Sequence, residues 1–140
     1  MKPDRYVLGF AFDNNGRVLL IRKKKPKWQE GLLNGIGGHV EPNELPLAAM
    51  NRECFEETGL SLGWVQKGVL EGSNNDGKPF ICHVFYSWYN HLHLFQQPTD
   101  EEPELCYIHK LKQGETLHNT LFLIALGISG DNFNFFRVQY

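Results

Sequence analysis

The sequence predicts an α/β domain of the α+β kind, a sheet with one helix on each face. Three observations point there. Strand-like runs come first, a single helix-forming stretch bounded by glycine sits in the middle, and a second helical spacing appears near the end. The 140 residues, 41% of them hydrophobic, are expected to form one domain over residues 1–140 with a core of its own.

The elements follow in order. Residues 6–12 and 18–22 are rich in β-formers and flank Asp13-Asn14-Asn15-Gly16-Arg17, whose Asn and Gly tolerate positive φ. They read as a hairpin. A basic loop (residues 22–28) and a glycine-dense stretch (residues 31–38) come next. Residues 44–58 lack glycine and favour helix, with Asn43 as the expected N-cap, Pro46 in the first turn and Gly59 as the stop. Residues 64–70 and 79–89 read as strands around a turn at 72–77. An acidic loop at 98–104 precedes a strand at 105–111. Leu117, Leu121 and Ile124 give residues 116–126 helical spacing, and residues 133–140 are expected as a short edge strand.

Composition excludes several classes. A net charge of −2 argues against a nucleic-acid coat or a polybasic membrane binder. No apolar run approaches the roughly 20 residues that span a bilayer. Met1-Lys2-Pro3-Asp4-Arg5 leads straight into the first strand and does not read as a signal peptide. Cys54, Cys82 and Cys106 form no CxxC pair, so neither a disulfide framework nor a zinc knuckle is expected, and a reducing cytoplasm is the default. The near-neutral total is a cancellation. Residues 22–27 carry +5, residues 41–57 carry −4 and residues 100–104 another −4.

The middle helix holds the chemistry. At about 100° per residue, Glu53, Glu56 and Glu57 share one arc, with Leu47, Met50 and Cys54 in an adjacent row extended by Ala48 and Phe55. That apolar side is expected to face the sheet. Three carboxylates on one arc repel each other, and Arg52 is the single cation among five acids from Glu41 to Glu57. A solvated acidic face would account for the glutamates alone. A hard divalent cation would relieve them, since carboxylates, waters and substrate phosphate suit Mg²⁺.

The spacing decides between these readings. Gly38, five residues, Glu44, seven residues, Arg52-Glu53, Cys54, one residue, Glu56-Glu57, one residue and Gly59-Leu60 resemble the Nudix box of the Nudix (MutT-like) hydrolases. Cys54 stands where an aliphatic residue is usual, and a free cysteine behaves as a small hydrophobe. The flanking hairpin, the paired glycines and the later acidic loop are similar to the family layout, so the resemblance extends over the domain.

The resemblance implies an α/β/α sandwich with a mixed central sheet, and Mg²⁺-dependent cleavage of a diphosphate linkage in a nucleoside diphosphate joined to a further group. Mn²⁺ is an acceptable substitute. By resemblance Glu56 and Glu57 bind the metal, Glu53 shares it or acts as the base, and the Gly37 carbonyl is a backbone ligand. Arg52 orients a carboxylate and Glu44 supports the network from the start of the box. Members add an acid from a later loop. Asp100, Glu101 and Glu102 are the candidates and Glu102 is favoured, although a charge run of this kind also suits a solvated loop.

Outside the box the readings stay double. Lys23 and Arg22 are placed to meet substrate phosphates, or belong to a solvated loop that guards an edge strand. Trp28, Phe80 and Tyr86 stack on a base or fill the core. Asn119 reads a base edge or caps a helix. His91 and His93 would share a strand face but lack a third metal ligand at usable spacing.

The implied partner is a small nucleotide, handled by a monomer or homodimer, with no stable nucleic acid and no membrane. A MutT-like (d)NTP or 8-oxo-dGTP pyrophosphohydrolase is the leading function. Hydrolysis of ADP-ribose, another nucleotide sugar or dinucleoside polyphosphates is the alternative, because Pro79 falls one step from the position that marks ADP-ribose hydrolases. A non-catalytic nucleotide-sensing Nudix domain and a regulatory metal binder without catalysis complete the set.

Overall fold

A computed structural model describes residues 2–129 and 135–140. The strands are β1 (Asp4–Phe12), β2 (Arg17–Arg22), β3 (Leu33–Asn34), β4 (Ile36–His39), β5 (Val65–Ser73), β6 (Pro79–Trp88), β7 (Glu102–Tyr107) and β8 (Phe136–Gln139). The helices are α1 (Pro46–Thr58) and α2 (Thr120–Ile128).

The sheet is mixed and β1 is its axis. β6 runs parallel to β1 from Asp4↔Phe80 to Phe12↔Trp88. The other edge of β1 is divided, with β4 antiparallel along Tyr6 to Gly9 and β2 antiparallel at Ala11 and Phe12. β2 pairs on its far side with β7, β5 pairs antiparallel with β6, and β8 lies parallel to β5. The hairpin turn is as expected, with Gly16 at φ 74° and the Asp13 carboxylate taking the Asn15 and Arg17 N–H groups.

Alternation along the strands feeds two cores. Val7, Ala11, Leu19, Ile21, Ile36 and Phe85 face α1, where Ala49, Met50 and Cys54 pack on them. Phe10, Phe12, Val18, Leu20, Val84 and Tyr86 face α2, which supplies Leu123 and Ile124. Tyr86, fully buried between Phe10 and Phe12, donates its hydroxyl to the Leu123 carbonyl at 2.6 Å. It is a core residue and cannot stack on a ligand.

Several boundaries differ from the sequence expectation, each for a local reason. α1 starts at Pro46, and Asn43 lies outside it in a left-handed conformation, φ 65°. The turn that would have let Asn43 cap is closed instead by Glu44, whose carboxylate accepts the Glu41 N–H at 2.9 Å. Gly59 ends the helix at φ 73° as expected. β7 begins inside the acidic run, because pairing with β2 sets Glu102 opposite Arg22 and Pro103 opposite Ile21. α2 begins at Thr120, after Leu117 has bonded through its N–H to the Leu33 carbonyl at 2.9 Å. Of the expected edge strand, Phe133 and Asn134 lie outside the described residues. Among the described residues no helix is long and apolar enough to cross a membrane.

α1 is also turned from the expected face. Leu47 (47% exposed), Ala48 and Phe55 (59% exposed) look outward, while Ala49, Met50, Cys54, Glu57 and Thr58 are buried. The rotation trades an aromatic for a carboxylate at the sheet. Gly9 makes room for it: a Cβ there would meet Met50 Cε at 2.6 Å and the Trp64 ring at 2.8 Å. Gly9→Ala is therefore expected to overpack the contact between α1 and β1 and cost about 1–3 kcal/mol. Urea unfolding should show a lower midpoint at an unchanged m-value.

Candidate active site

The site grows from two fixed points, the glycines of β4 and the acidic row of α1. Gly38 lies opposite Val7 on β1, and an added Cβ there would come within 2.5 Å of Glu53 Oε1. The absence of that carbon lets the Glu53 carboxylate rest on the β4 backbone. Gly37 has no such freedom on its other side, where a Cβ would meet the Val7 carbonyl oxygen at 2.0 Å.

Arg52 fastens the row. Its Nε and one terminal nitrogen donate to the two Glu44 oxygens at 2.8 and 3.0 Å, a bidentate pair. The nitrogen that reaches Glu44 Oε1 also donates to the His39 carbonyl at 2.9 Å, tying α1 to the end of β4. The remaining nitrogen donates to Glu53 Oε1 at 3.0 Å and Glu56 Oε2 at 3.4 Å. These bonds hold the Glu44 carboxyl down at about 2, with the Arg52 hydrogen bonds the main cause, and raise Arg52 further above its ordinary value.

Glu57 has the opposite surroundings. It is 9% exposed, and its Oε2 has no hydrogen-bond partner. Burial, then the charge of Glu53, pushes its carboxyl up to about 8, with Lys23 opposing. Glu53 is raised as well, chiefly by burial, and Arg52 restrains it. Without a cation, burial beside the charge of Glu53 favours the protonated form of Glu57.

Glu101 completes the cluster. Its Oε1 faces Lys23 Nζ at 4.0 Å, its Oε2 is buried without a partner, and its charge is felt at Glu57. The favoured Glu102 faces away, 3.4 Å from Lys24. Arg22 is also committed elsewhere, to Glu104 (one bond at 2.9 Å) and to the Gly31 carbonyl at 2.8 Å. Lys23 is therefore the basic residue the structure brings to the acids. The signal for Glu101 lay in strand register, since a β7 that starts opposite Arg22 leaves the preceding residue beside Lys23.

Other candidates lie apart. Trp28 is 72% exposed in a 3-10 turn (Lys27–Gln29), and Phe80 sits edge-on to Tyr6 with ring centroids 6.5 Å apart. His91 precedes a 3-10 turn (Leu92–Leu94) that contains His93, with ring centroids 5.8 Å apart, so the two do not share a strand face. Asn119 occupies the N-cap position of α2 without capping it.

Glu53, Glu57 and Glu101 offer hard oxygen donors, Glu57 and Glu101 each with an orphaned buried oxygen, and Glu56 stands at the rim. Such a set suits Mg²⁺ or Mn²⁺. Among the described residues no three metal-ligating side chains already stand in a coordinating group. Glu56 is turned to Arg52, and the buried Glu57 carboxyl favours its protonated form.

A mixed sheet between two helices, presenting a desolvated carboxylate cluster beside a glycine-built strand, defines the class: an α/β protein with its candidate site on the first helix. The chain matches the NUDIX domain over residues 2–120. It belongs to the NUDIX family of hydrolases. Solved structures of similar fold include a NUDIX-family hydrolase from Clostridium perfringens (22% identity, 92% of this chain and 98% of that one, TM-score 0.73). A MutT NUDIX hydrolase from Burkholderia pseudomallei is similar at 20% identity, 89% and 98% coverage and TM-score 0.73. The NUDIX domain of Shewanella oneidensis NrtR, solved with ADP ribose, is similar at 15% identity, 92% and 88% coverage and TM-score 0.79.

Glu57 and Glu44, the two most displaced carboxyls, set opposite pH limits on the metal-free fold. Glu57, raised from 4.5 to about 8, binds its proton more tightly when folded, so its contribution is full below 4.5 and is lost as pH rises toward 8. Glu44, lowered to about 2, stabilises above 4.5 and loses that contribution as pH falls toward 2. His83, lowered by burial, opposes Glu57 below 6.5. In chelator, the melting temperature is expected to fall between pH 5 and pH 8, and Glu57→Gln should flatten that fall. An equal slope in both proteins would contradict the assignment.

Proposed function

We propose that the protein hydrolyses a diphosphate linkage in a nucleoside diphosphate joined to a further group, with Mg²⁺ bound by Glu53, Glu56, Glu57 and Glu101 beside the Gly37 carbonyl. The observation that carries this is the pair of buried, unpartnered oxygens, Glu57 Oε2 and Glu101 Oε2, in one cluster. Burying carboxylates without compensation is costly, and a cation provides the compensation. Bound there, Mg²⁺ supplies neutralisation of the diphosphate charge and polarisation of water.

The chain's own residues supply the rest. Arg52 holds Glu53 against Gly38, so this carboxylate keeps one position through the reaction. Its raised affinity for a proton suits it to accept one from the attacking water. Lys23, beside Glu101 and close enough to act on Glu57, would meet the entering phosphates with its ammonium. The Glu44 carboxylate keeps Arg52 aimed rather than touching substrate.

The leading substrate is a (d)NTP, with 8-oxo-dGTP as the damaged form a MutT-like enzyme removes, cleaved to the monophosphate and pyrophosphate. The fold likeness to a MutT NUDIX hydrolase supports it. ADP-ribose is the second reading, favoured by the likeness to a NUDIX domain solved with ADP ribose. Three free cysteines fit a cytoplasmic enzyme. The proposed working unit is a monomer or homodimer acting on a small nucleotide.

A phosphate- and pyrophosphate-release screen over dNTPs, 8-oxo-dGTP, ADP-ribose and dinucleoside polyphosphates tests the reading. Turnover is expected with Mg²⁺ and should vanish in chelator. Glu57→Gln should lower kcat by at least about a hundredfold and Arg52→Lys by about tenfold to a hundredfold. Glu101→Gln should cost more than Glu102→Gln. Full activity in Glu57→Gln, or chelator-insensitive turnover, would contradict the proposal.

A further inference from the structure

The basic loop between β2 and β3 is built outward from the acidic cluster. Two backbone bonds of 2.8 Å close its stem, Lys23 N–H to the Leu32 carbonyl and Gly31 N–H to the Lys23 carbonyl. Arg22 braces the same stem by donating to the Gly31 carbonyl at 2.8 Å. Gly31 turns the chain back at φ 83°, a left-handed conformation that suits glycine. Within the loop, the Pro26 carbonyl accepts the Gln29 N–H at 2.9 Å and the Lys27 carbonyl accepts the Glu30 N–H at 3.1 Å, which closes the 3-10 turn Lys27–Gln29. The loop is thus hydrogen-bonded through its own backbone from stem to tip.

Its stem stands in the candidate site and its tip outside it. Lys23 Nζ lies 4.0 Å from Glu101 Oε1, whose partner oxygen is one of the two orphaned in the cluster. Trp28 is three residues from Gly31, so its Cα stands within about 11 Å of the stem. The charges of the loop are matched only near that stem. Arg22 pairs with Glu104, Lys23 faces Glu101, and Lys24 lies 3.4 Å from Glu102. Lys25 and Lys27 are exposed and have no ion-pair partner among the described residues. Three lysines against Glu30 leave residues 24–30 with a net charge of +2. Trp28 follows Lys27 and is 72% exposed, in a turn that buries none of its residues. Single exposed aromatics are common. This one is set apart by its place, on a braced basic loop whose stem lysine reaches the acids.

We infer that Trp28, with Lys25 and Lys27, forms a distal subsite for a second nucleoside carried on the substrate's phosphate chain. Cations at the stem and at the tip of one loop suit an anion extended enough to meet both, and a polyphosphate is such an anion. An indole beside unmatched cations provides a stacking face for a nucleobase, tolerant of which base it is because every base has a π-face. A (d)NTP ends in phosphate and ADP-ribose in a sugar, so neither brings a ring to Trp28. A dinucleoside polyphosphate does. This rests on the diphosphate-hydrolase reading above and adds a substrate class to it, with the residues that would hold its far end.

The test is steady-state kinetics of the whole protein with Mg²⁺ on diadenosine tetraphosphate and on adenosine tetraphosphate. The two share a base and a phosphate chain and differ by one nucleoside. In Trp28→Ala the ratio of kcat/KM for the first to that for the second should fall about tenfold, mainly through KM for the dinucleotide. Trp28→Phe keeps a ring and should retain most of the ratio. Lys25→Gln combined with Lys27→Gln should weaken both substrates alike and flatten their salt dependence, with the ratio held within about twofold. A ratio unchanged in Trp28→Ala, or wild-type turnover confined to mononucleotides, would overturn the subsite while leaving the hydrolase reading intact. A wild-type protein that hydrolyses neither tetraphosphate nor any nucleotide of the wider screen would remove the hydrolase reading, and the subsite with it.

Discussion

A carboxylate buried on the sheet side of α1 is the constraint on which the rest of this structure depends. An amphipathic helix of this composition would ordinarily bury Leu47 and Phe55. Instead it buries Glu57 and leaves both outside. Three adjustments make that orientation tenable. Gly9 admits Met50, Gly38 admits Glu53, and Arg52 ties the outer side of the row to Glu44 and to the end of β4. Even so, one Glu57 oxygen is left without a partner, and strain of this kind is typical where local rules yield to chemistry.

Charge within the site is graded rather than uniform. Arg52 meets Glu44 and Glu53 on the outer side, so those acids are held by strong donors. Lys23 stands at the inner side, 4.0 Å from Glu101, too far for a strong bond and close enough to stabilise an anion. One end of the cluster is thus rigid and the other incompletely neutralised. That asymmetry suits a site that must keep one carboxylate in place while others exchange a proton for a cation. The near-zero net charge of the chain is the sum of these opposed local fields.

Much of this was legible in the sequence. The i, i+3, i+4 spacing of Glu53, Glu56 and Glu57, with Gly38 and Gly59 as fixed ends, specified the helix, its stop and the acidic arc without structural help. Hairpin, mixed sheet and paired helices followed from pattern and resemblance. What stayed hidden depends on long-range register. Glu101 reaches Lys23 because β7 pairs with β2 at Glu102, which nothing local to residues 98–104 dictates. Arg22 is absorbed by Glu104 across the same ladder. Asn43 loses the cap because Glu44, tied to Arg52 eight residues on, closes the turn first. The rotation of α1 was misread because moment arguments place carboxylates outside, and here their burial serves the site.

The central claim is that the buried Glu57 carboxyl holds a proton where the proposed site takes up a cation. Calorimetric titration of Mg²⁺ into the protein near pH 7, in two buffers of different ionisation enthalpy, measures this directly. With Glu57 raised to about 8, each bound ion should release close to one proton, and Glu57→Gln should abolish that release. Tight Mg²⁺ binding with no proton released, or the same release from Glu57→Gln, would contradict the account.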